Sequence, residues 1–299
     1  MNKQSPFISI IMNCHNGEKY LNEAIDSVLN QTYINYEVIF FDNNSTDQSK
    51  EIFMKYKHLR LKYFFSNQTI PLYEARKKAI ELANGDIFAF LDVDDKWKPS
   101  KLEIQIETFR DENIGLSCTN YFLLNERKKL VKKSFEKKIP NGFILNEALK
   151  MNYVGMSTLM ISRKAYESLE YGFDKKFEII GDYDLVLRLL VKWKLASVQE
   201  PLSYYRWHGN NLSIKKLKLN ADELIYWVNC MKSKSDFSSK KNFKYLESHA
   251  YGLKGLSLIL RNERLKAIKY LFLINNFYLL IKLLLFLSTP KFLISMIRS

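Results

Sequence analysis

The run Phe90-Leu91-Asp92-Val93-Asp94-Asp95 places three carboxylates within four positions, at the end of the apolar stretch Ile87 to Leu91. Carboxylates this close repel one another, and focusing or burying them costs free energy unless a cation offsets the charge. A divalent cation that in turn holds a diphosphate is the economical chemistry. Mg²⁺ and Mn²⁺ favour oxygen ligands and commonly bind through one or two carboxylates plus substrate phosphates. The plainer alternative is a polar loop whose Asp residues cap the helix that follows Pro99.

Four other places carry candidate chemistry. In Asp42-Asn43-Asn44-Ser45-Thr46-Asp47, Asp42 and Asn43 have the groups to pair with a nucleobase or ribose, and Ser45 or Thr46 reads as a helix cap. Arg76 lies close in sequence to the acidic run, and its guanidinium suits a diphosphate or the carboxylates themselves. In Gly181-Asp182-Tyr183-Asp184, Asp182 reads either as an N-cap or as a general base that takes a proton from an attacking hydroxyl, while Asp184 reads as structural. His208 closes Tyr204-Tyr205-Arg206-Trp207-His208, either packed or offering an imidazole nitrogen to a metal. His15, His58 and His249 have no such context and read as surface or packing residues.

Positioning these groups requires a scaffold, and the first 120 residues supply one. Phe7 to Met12, Tyr36 to Phe41, Leu61 to Phe65 and Asp86 to Leu91 read as strands. Between them Glu18 to Gln31, Asp47 to Tyr56 and Leu72 to Ala83 read as helices, the last stopped by Asn84-Gly85. Such alternation implies βαβ units and a mostly parallel sheet flanked by helices, an α/β fold. Sheets of this kind bind ligands at the carboxyl ends of their strands, where Asn13 to Asn16, Asp42 to Asp47 and Asp92 to Asp95 all fall. Farther on, Arg127 to Lys138 reads as a solvated basic hairpin or loop, Gly181 to Trp193 as a helix and Leu195 to Tyr205 as extended chain. From about residue 216 the pattern is helical.

Composition narrows the classes. The chain has 299 residues, a net charge of +14, and 47% hydrophobic content, enough for a large packed core. Residues 215–299 carry 16 Lys/Arg against 5 Asp/Glu, while residues 1–214 are nearly neutral. The basic third therefore suggests an anionic surface as partner. Three widely spaced cysteines suggest neither a disulfide framework nor a zinc site, and a reducing cytoplasm fits them. The N-terminus shows no signal-peptide pattern, and no Gly-rich phosphate loop occurs. The latter argues against a P-loop ATPase, a dehydrogenase or a nucleotidyltransferase.

Taken in order, the motifs resemble the inverting glycosyltransferases of family 2, which have the GT-A fold. The likeness runs from residue 6 to about 213 through Ser9 to Gly17, Val28 to Tyr33, Val38 to Asp47 and Glu74-Ala75-Arg76. It continues through Gly85 to Asp95, Gly181 to Asp184 and Tyr205 to His208. The resemblance implies that Asn13, Asp42, Asn43, Arg76 and Asp94 line the nucleotide site. It implies that Asp92, Asp94 and Asp95, with His208, handle Mn²⁺ or Mg²⁺, and that Asp182 is the catalytic base. Two positions depart from the family pattern: Asn43 stands where Asp is common, and Gly181 where many members carry Glu.

The expectation is a metal-dependent hexosyl- or N-acetylhexosaminyl-transferase built as a catalytic domain over 1–214 and a basic helical region over 215–299. It would move a sugar from a nucleotide-sugar donor, UDP-linked, to a hydroxyl of a glycan or lipid-linked acceptor in bacterial surface polysaccharide synthesis. Residues 268–297 are apolar but interrupted at Asn275, Asn276, Lys282 and Pro290, which suits two interfacial helices rather than a span. This places the protein in the cytoplasm, peripheral on the inner leaflet of the membrane, with no nucleic-acid partner and with oligomers compatible. A helical hairpin packed on the enzyme body is the other reading of this tail. The rival function is a non-catalytic basic protein that binds membrane surfaces or polyanions on the same fold.

Overall fold

The computed structural model describes residues 5–126, 128–208 and 216–289. The chain divides into two compact units, Met1–Ile144 with Tyr153–His208, and Leu145–Asn152 with Gly209–Ser299. The boundary expected at 214/215 lies outside the described residues.

In the first unit β1 (Ile8–Cys14), α1 (Leu21–Leu29), β2 (Tyr36–Asp42), α2 (Ser49–Lys55), β3 (Leu61–Phe65), α3 (Leu72–Glu81) and β4 (Ile87–Phe90) follow the expected alternation. The strands pair in parallel, in the order β3-β2-β1-β4. Next come β5 (Lys96–Trp97), α4 (Lys101–Ile106), β6 (Ile114–Asn125) and β7 (Leu130–Lys133). The second unit contributes α5 (Leu145–Ala148), after which β8 (Met160–Ser162), α6 (Arg163–Glu167), α7 (Gly181–Leu190) and β9 (Lys194–Trp207) complete the first. Beyond β4 the sheet is mixed. It runs on through β8, β6, β9 and β5, with β8 antiparallel to both β4 and β6, and β6 parallel to β9.

Side-chain alternation sorts the core. Ile8, Ile10, Met12 and Cys14 of β1 pack with Val38 and Phe40 of β2 against Leu21, Ala24, Ile25 and Val28 of α1 and Ile52 and Phe53 of α2. Ser9, Ile11 and Asn13 point to the other face, where α3 packs on β1 and β2. There the buried Glu37 accepts from Ser9 Oγ (2.6 Å), Lys62 Nζ (2.6 Å) and the Asn84 N–H (2.7 Å). Ser9 Oγ in turn accepts from Gly85 N–H at 2.8 Å. A side chain at Gly85 would lie 2.4 Å from the Ser9 nitrogen, so the stop after α3 must be glycine.

Three local expectations differ from the structure. Glu18 and Lys19 stand outside α1, because Glu18 instead clasps the turn before α2, its carboxylate on Gln48 N–H and its N–H on Asp47 Oδ2 (both 2.9 Å). Neither Ser45 nor Thr46 caps α2; Asp47 Oδ1 takes the Ser49 N–H at 3.0 Å. No Asp caps α4, whose cap position is Ser100. The basic stretch after β6 is the β6–β7 hairpin, with Arg127 outside the described residues.

The second unit is helical. Besides α5 it holds α8 (Leu217–Met231), α9 (Ser235–Ser238), α10 (Phe243–Leu260), α11 (Arg264–Leu271) and α12 (Phe277–Ser288). Asn242 ties α5 in, through Asn146 Oδ1 and O. Leu258, Ile259, Ala267, Ile274, Leu279 and Leu283 form the core of the last three helices. Their outer surface leaves Leu265, Phe272, Phe277 and Tyr278 exposed by 84%, 83%, 77% and 69%. No described helix is long and apolar enough to cross a membrane, and the end of the apolar tail, from Pro290, lies outside the described residues.

Candidate active site

Register brings the polar strand ends to one edge. Cys14 of β1 stands beside Asp42 of β2, Ile11 beside Phe90 of β4, and Leu91 N–H donates to Ile11 O at 3.1 Å. The apolar strands fix the backbone, and the residues that follow them face the crevice at the carboxyl end of the sheet.

The acidic run is a tight turn, closed by Asp95 N–H on Asp92 O at 2.9 Å. Its three carboxylates diverge. Asp92 Oδ1 accepts from Arg76 Nη2 at 2.5 Å. Asp94 Oδ2 lies 3.0 Å from His208 Nε2. Asp95 turns inward, 1% exposed, and accepts from Ser157 Oγ (2.5 Å) and from the Arg206 backbone N–H (2.9 Å). Burial first, then the charges of Asp94 and Asp92, push the Asp95 carboxyl well above its ordinary range. Arg206 knits the end of β9 to this turn. Its Nε donates to Asp94 O (2.9 Å), its Nη atoms pair with Glu126 and Glu23 (both 3.0 Å), and its guanidinium lies 4.4 Å from the Tyr20 ring centre. Tyr20 also stacks on His208, with centroids 5.4 Å apart.

The nucleotide candidates divide into engaged and open groups. Asp42 is buried and accepts from Tyr63 Oη (2.7 Å) and Ser45 N–H (2.8 Å). Asn43 binds the backbone of Ile70 in both directions, donating to its carbonyl at 2.8 Å and accepting its N–H at 3.0 Å. The next residue, Asn44, takes the left-handed conformation (φ 60°), which a short amide tolerates. Asn13 differs, since both its amide nitrogen and its amide oxygen are buried without a hydrogen-bond partner among the described residues. Unsatisfied donor and acceptor atoms side by side in the protein interior are costly.

Asp182 is the second residue of α7, not its N-cap, which is Ile180. Its Oδ1 accepts from Tyr73 Oη (3.2 Å) and from Tyr183 N–H (2.8 Å). Its Oδ2 has no hydrogen-bond partner among the described residues. Burial outweighs the nearby Arg76 charge and raises its carboxyl above the ordinary value. Asp184, on the buried side of the helix, is bound by Arg188 (2.6 Å) and has the structural role its pattern suggested. Tyr73 and Arg76 stand three residues apart on the inner face of α3, so one helical face reaches both Asp182 and Asp92.

Sequence reasoning passed over Ser157, Tyr73 and the side chain of Arg206. Tyr73 had a signal in its i,i+3 spacing from Arg76. Ser157, 62 positions from Asp95, had none. His15 also belongs at this edge, its Nδ1–H donating to Asn43 O at 2.9 Å. Among the described residues no three His, Cys, Asp or Glu side chains converge as a metal-ligand cluster.

A sequence model described as "Glycosyl transferase family 2" matches residues 9–169, more than half of the chain. The chain belongs to family 2 of the glycosyltransferases. Among similar proteins is the putative teichuronic acid biosynthesis glycosyltransferase TuaG of Bacillus subtilis, 30% identical over 73% of this chain and 86% of that one. Another is the Escherichia coli UDP-Glc:alpha-D-GlcNAc-diphosphoundecaprenol beta-1,3-glucosyltransferase WfaP, 30% identical over 76% and 86%. Solved structures share the fold. Residues 1–349 of Staphylococcus aureus TarS, in complex with UDP-GlcNAc, superpose with a TM-score of 0.58 at 16% identity, covering 88% of this chain and 89% of that one. The Pyrobaculum calidifontis mannosyltransferase PcManGT, in complex with GDP-Man and Mn²⁺, gives a TM-score of 0.64 at 14% identity, covering 90% and 75%. The family 2 chain is thus a GT-A glycosyltransferase, and the strand-end crevice is its candidate active site.

Proposed function

We propose that this protein transfers a hexosyl or N-acetylhexosaminyl group from a UDP-sugar to a hydroxyl of a lipid-linked glycan, with inversion, in bacterial surface polysaccharide synthesis. The observation that carries the reading is Asp182. One carboxylate oxygen is held by Tyr73 and Tyr183, and the other has no hydrogen-bond partner among the described residues, at the edge where the acidic turn stands. A carboxylate so held is suited to take the proton of an incoming hydroxyl while that oxygen attacks the anomeric carbon. A single displacement of this kind inverts the carbon. Asn13 supports a uracil base, since its unsatisfied amide offers a donor and an acceptor to an imide edge. Asn43 would serve the same base indirectly, by fixing the backbone at Ile70. Asp42 would do so by bracing the Ser45 turn.

Asp94 and His208, a carboxylate oxygen and an imidazole nitrogen 3.0 Å apart, would hold a divalent cation together with the substrate phosphates. When bound, Mn²⁺ or Mg²⁺ would supply positive charge to the departing diphosphate. Arg76 would add charge from the neighbouring side, and Asp95, clamped by Ser157 and Arg206, would hold the turn in place.

The lipid-linked acceptor is supported by what WfaP is named for, a diphosphoundecaprenol substrate. It is consistent with a peripheral position on the cytoplasmic face of the membrane. The second unit has the surface for that, basic in sequence and exposing large apolar side chains on α11, α12 and the turn between them.

The reading is tested by measuring nucleoside diphosphate release from UDP-Glc, UDP-GlcNAc and GDP-Man, with Mn²⁺ or EDTA and a GlcNAc-diphospholipid acceptor. Metal-dependent release from a UDP-sugar, reduced at least 10³-fold (roughly, from general-base loss plus misplacement) in Asp182→Asn, is expected. Transfer that persists in Asp182→Asn refutes the base, and release confined to GDP-Man refutes the uracil assignment.

A further inference from the structure

Tyr73 is a phenol with a single proton and two acceptors within reach. Its Oη lies 3.2 Å from Asp182 Oδ1 and 3.0 Å from the carbonyl oxygen of Ile179. The ring has little freedom to leave this position. It is 2% exposed, stacks on Phe173 with centroids 5.5 Å apart, and has the Arg76 guanidinium 5.3 Å from its centre. It also rests on the backbone of the first turn of α7. A Cβ at Gly181 would lie 2.4 to 2.6 Å from three of the ring's carbon atoms, so the residue before Asp182 has no side chain because the ring occupies its space. The ring and glycine together fix where Asp182 stands, and the hydroxyl fixes how its carboxylate is turned.

We infer that Tyr73 is the positioning residue of Asp182, and that its hydroxyl proton alternates between Asp182 Oδ1 and the Ile179 carbonyl as the carboxyl gains and loses a proton. The inference rests on reading Asp182 as the general base. While Asp182 is ionised, the phenol donates to Oδ1 and leaves Oδ2 to receive the acceptor's proton. When that proton arrives the acceptor oxygen bonds to the anomeric carbon, the bond to the nucleoside diphosphate breaks, and Asp182 becomes neutral. The phenol then donates to Ile179 O, and no buried donor is stranded at either stage. Tyr73 itself never ionises, because burial, reinforced by the Asp182 charge, holds its phenol far above the ordinary value. The other groups that face Asp182 do not move a proton in this scheme. They are Arg76 and Asp92 from across the site and the Tyr183 N–H on its own helix.

Tyr73→Phe keeps the ring, and hence the fit against Gly181, while removing the hydroxyl. The test follows Asp182 directly, by titrating the full chain labelled with ¹³Cγ-Asp and assigning its resonance by its absence in Asp182→Asn. Loss of a hydrogen bond to the charged form should raise the Asp182 midpoint by about 0.5 to 1 pH unit in Tyr73→Phe. The acid limb of kcat for UDP release should move the same way, with kcat about three- to tenfold lower on that limb and KM for the donor unchanged. An Asp182 midpoint that does not move in folded Tyr73→Phe overturns the inference, as does a rise in KM at constant kcat. Glycosyl transfer that survives in Asp182→Asn would instead overturn the base reading, and the titration would still report whether Tyr73 holds the carboxylate.

Discussion

Replacing Gly181 by Ala adds one carbon at the point where α7 meets α3. The added Cβ would sit 2.4 to 2.6 Å from Tyr73 Cδ2, Cε2 and Cγ, whereas carbon atoms in ordinary contact stand about 3.5 to 4.0 Å apart. Either the ring or the first turn of α7 must withdraw by about 1 Å. The ring is pinned by Phe173 on one face and by hydrogen bonds at its hydroxyl, so the helix turn is the softer side. Overpacking of this kind costs about 1 to 3 kcal/mol. Ala favours a helix interior over Gly by about 1 kcal/mol, but Gly181 opens α7 and gains only part of it. The net loss is therefore about 1 to 2 kcal/mol, a fall of roughly 3 to 6 °C in Tm. Activity should suffer far more, because a 1 Å misplacement of a catalytic group costs about 10²-fold in rate. Melting and UDP release measured side by side on Gly181→Ala check both numbers. A variant that melts and turns over like the parent would refute the packing argument. In a Tyr73→Ala background, where no ring remains to collide, the added Gly181→Ala penalty should vanish.

Two further outcomes are expected. Burial alone would raise the Glu37 carboxyl, but Lys62, Ser9 and the Asn84 N–H overcompensate and hold it below the ordinary value. Its contribution is therefore complete above about pH 4.3 and is lost as pH falls through the folded value. Glu37→Gln should melt with about 1 to 3 kcal/mol less stability at neutral pH, and the gap to the parent should close in acid. A gap that stays constant down to pH 3 would contradict the linkage. For the membrane surface, the full chain should sediment with vesicles containing phosphatidylglycerol and less with neutral ones. Phe272→Ser with Phe277→Ser should weaken that partitioning at least tenfold (roughly, from 1.5 to 3 kcal/mol per buried Phe). Equal retention of the double variant would rule out this face as the contact.

Much of the first unit was legible in its sequence, for identifiable reasons. Leu61 to Phe65 coincides with β3, and β1, β2 and β4 fall within two residues of their expected spans, because short β-rich runs between helical patterns have few other readings. Helix starts were less legible. The chain enters α1 and α2 through a mutual clasp of Glu18 and Asp47, contacts made across 29 and 30 positions that no local pattern encodes. The insertion of β8 between β4 and β6 was hidden for the same reason, since three residues carry no period. The candidate site residues could be listed from their types and their places after strands. Which of their atoms remain open could not, because that depends on partners such as Ile70 for Asn43 and Ser157 for Asp95.

The acidic run makes the distinction concrete. Read as a string, Asp92, Asp94 and Asp95 are one concentration of negative charge that calls for one cation. In the fold they address three directions, and much of the compensation comes from the chain itself. Arg76 meets Asp92, and Arg206 lends a backbone N–H to Asp95 while its Nε meets the Asp94 carbonyl. Glu23 of α1 and Glu126, next after β6, both pair with Arg206 and tie its guanidinium to those two elements. Asp95 then has a structural task that Asp94 lacks, since both of its oxygens are committed to holding Ser157 and β9 against the turn. Asp94 Oδ2 meets His208 Nε2, which makes it, of the three carboxylates, the one suited to share a ligand with an imidazole. Substituting Asp95 and substituting Asp94 should therefore fail differently. The first loosens the turn and the end of β9 whether or not metal is present, and the second lowers the response to Mn²⁺ while leaving the apo protein's melting intact.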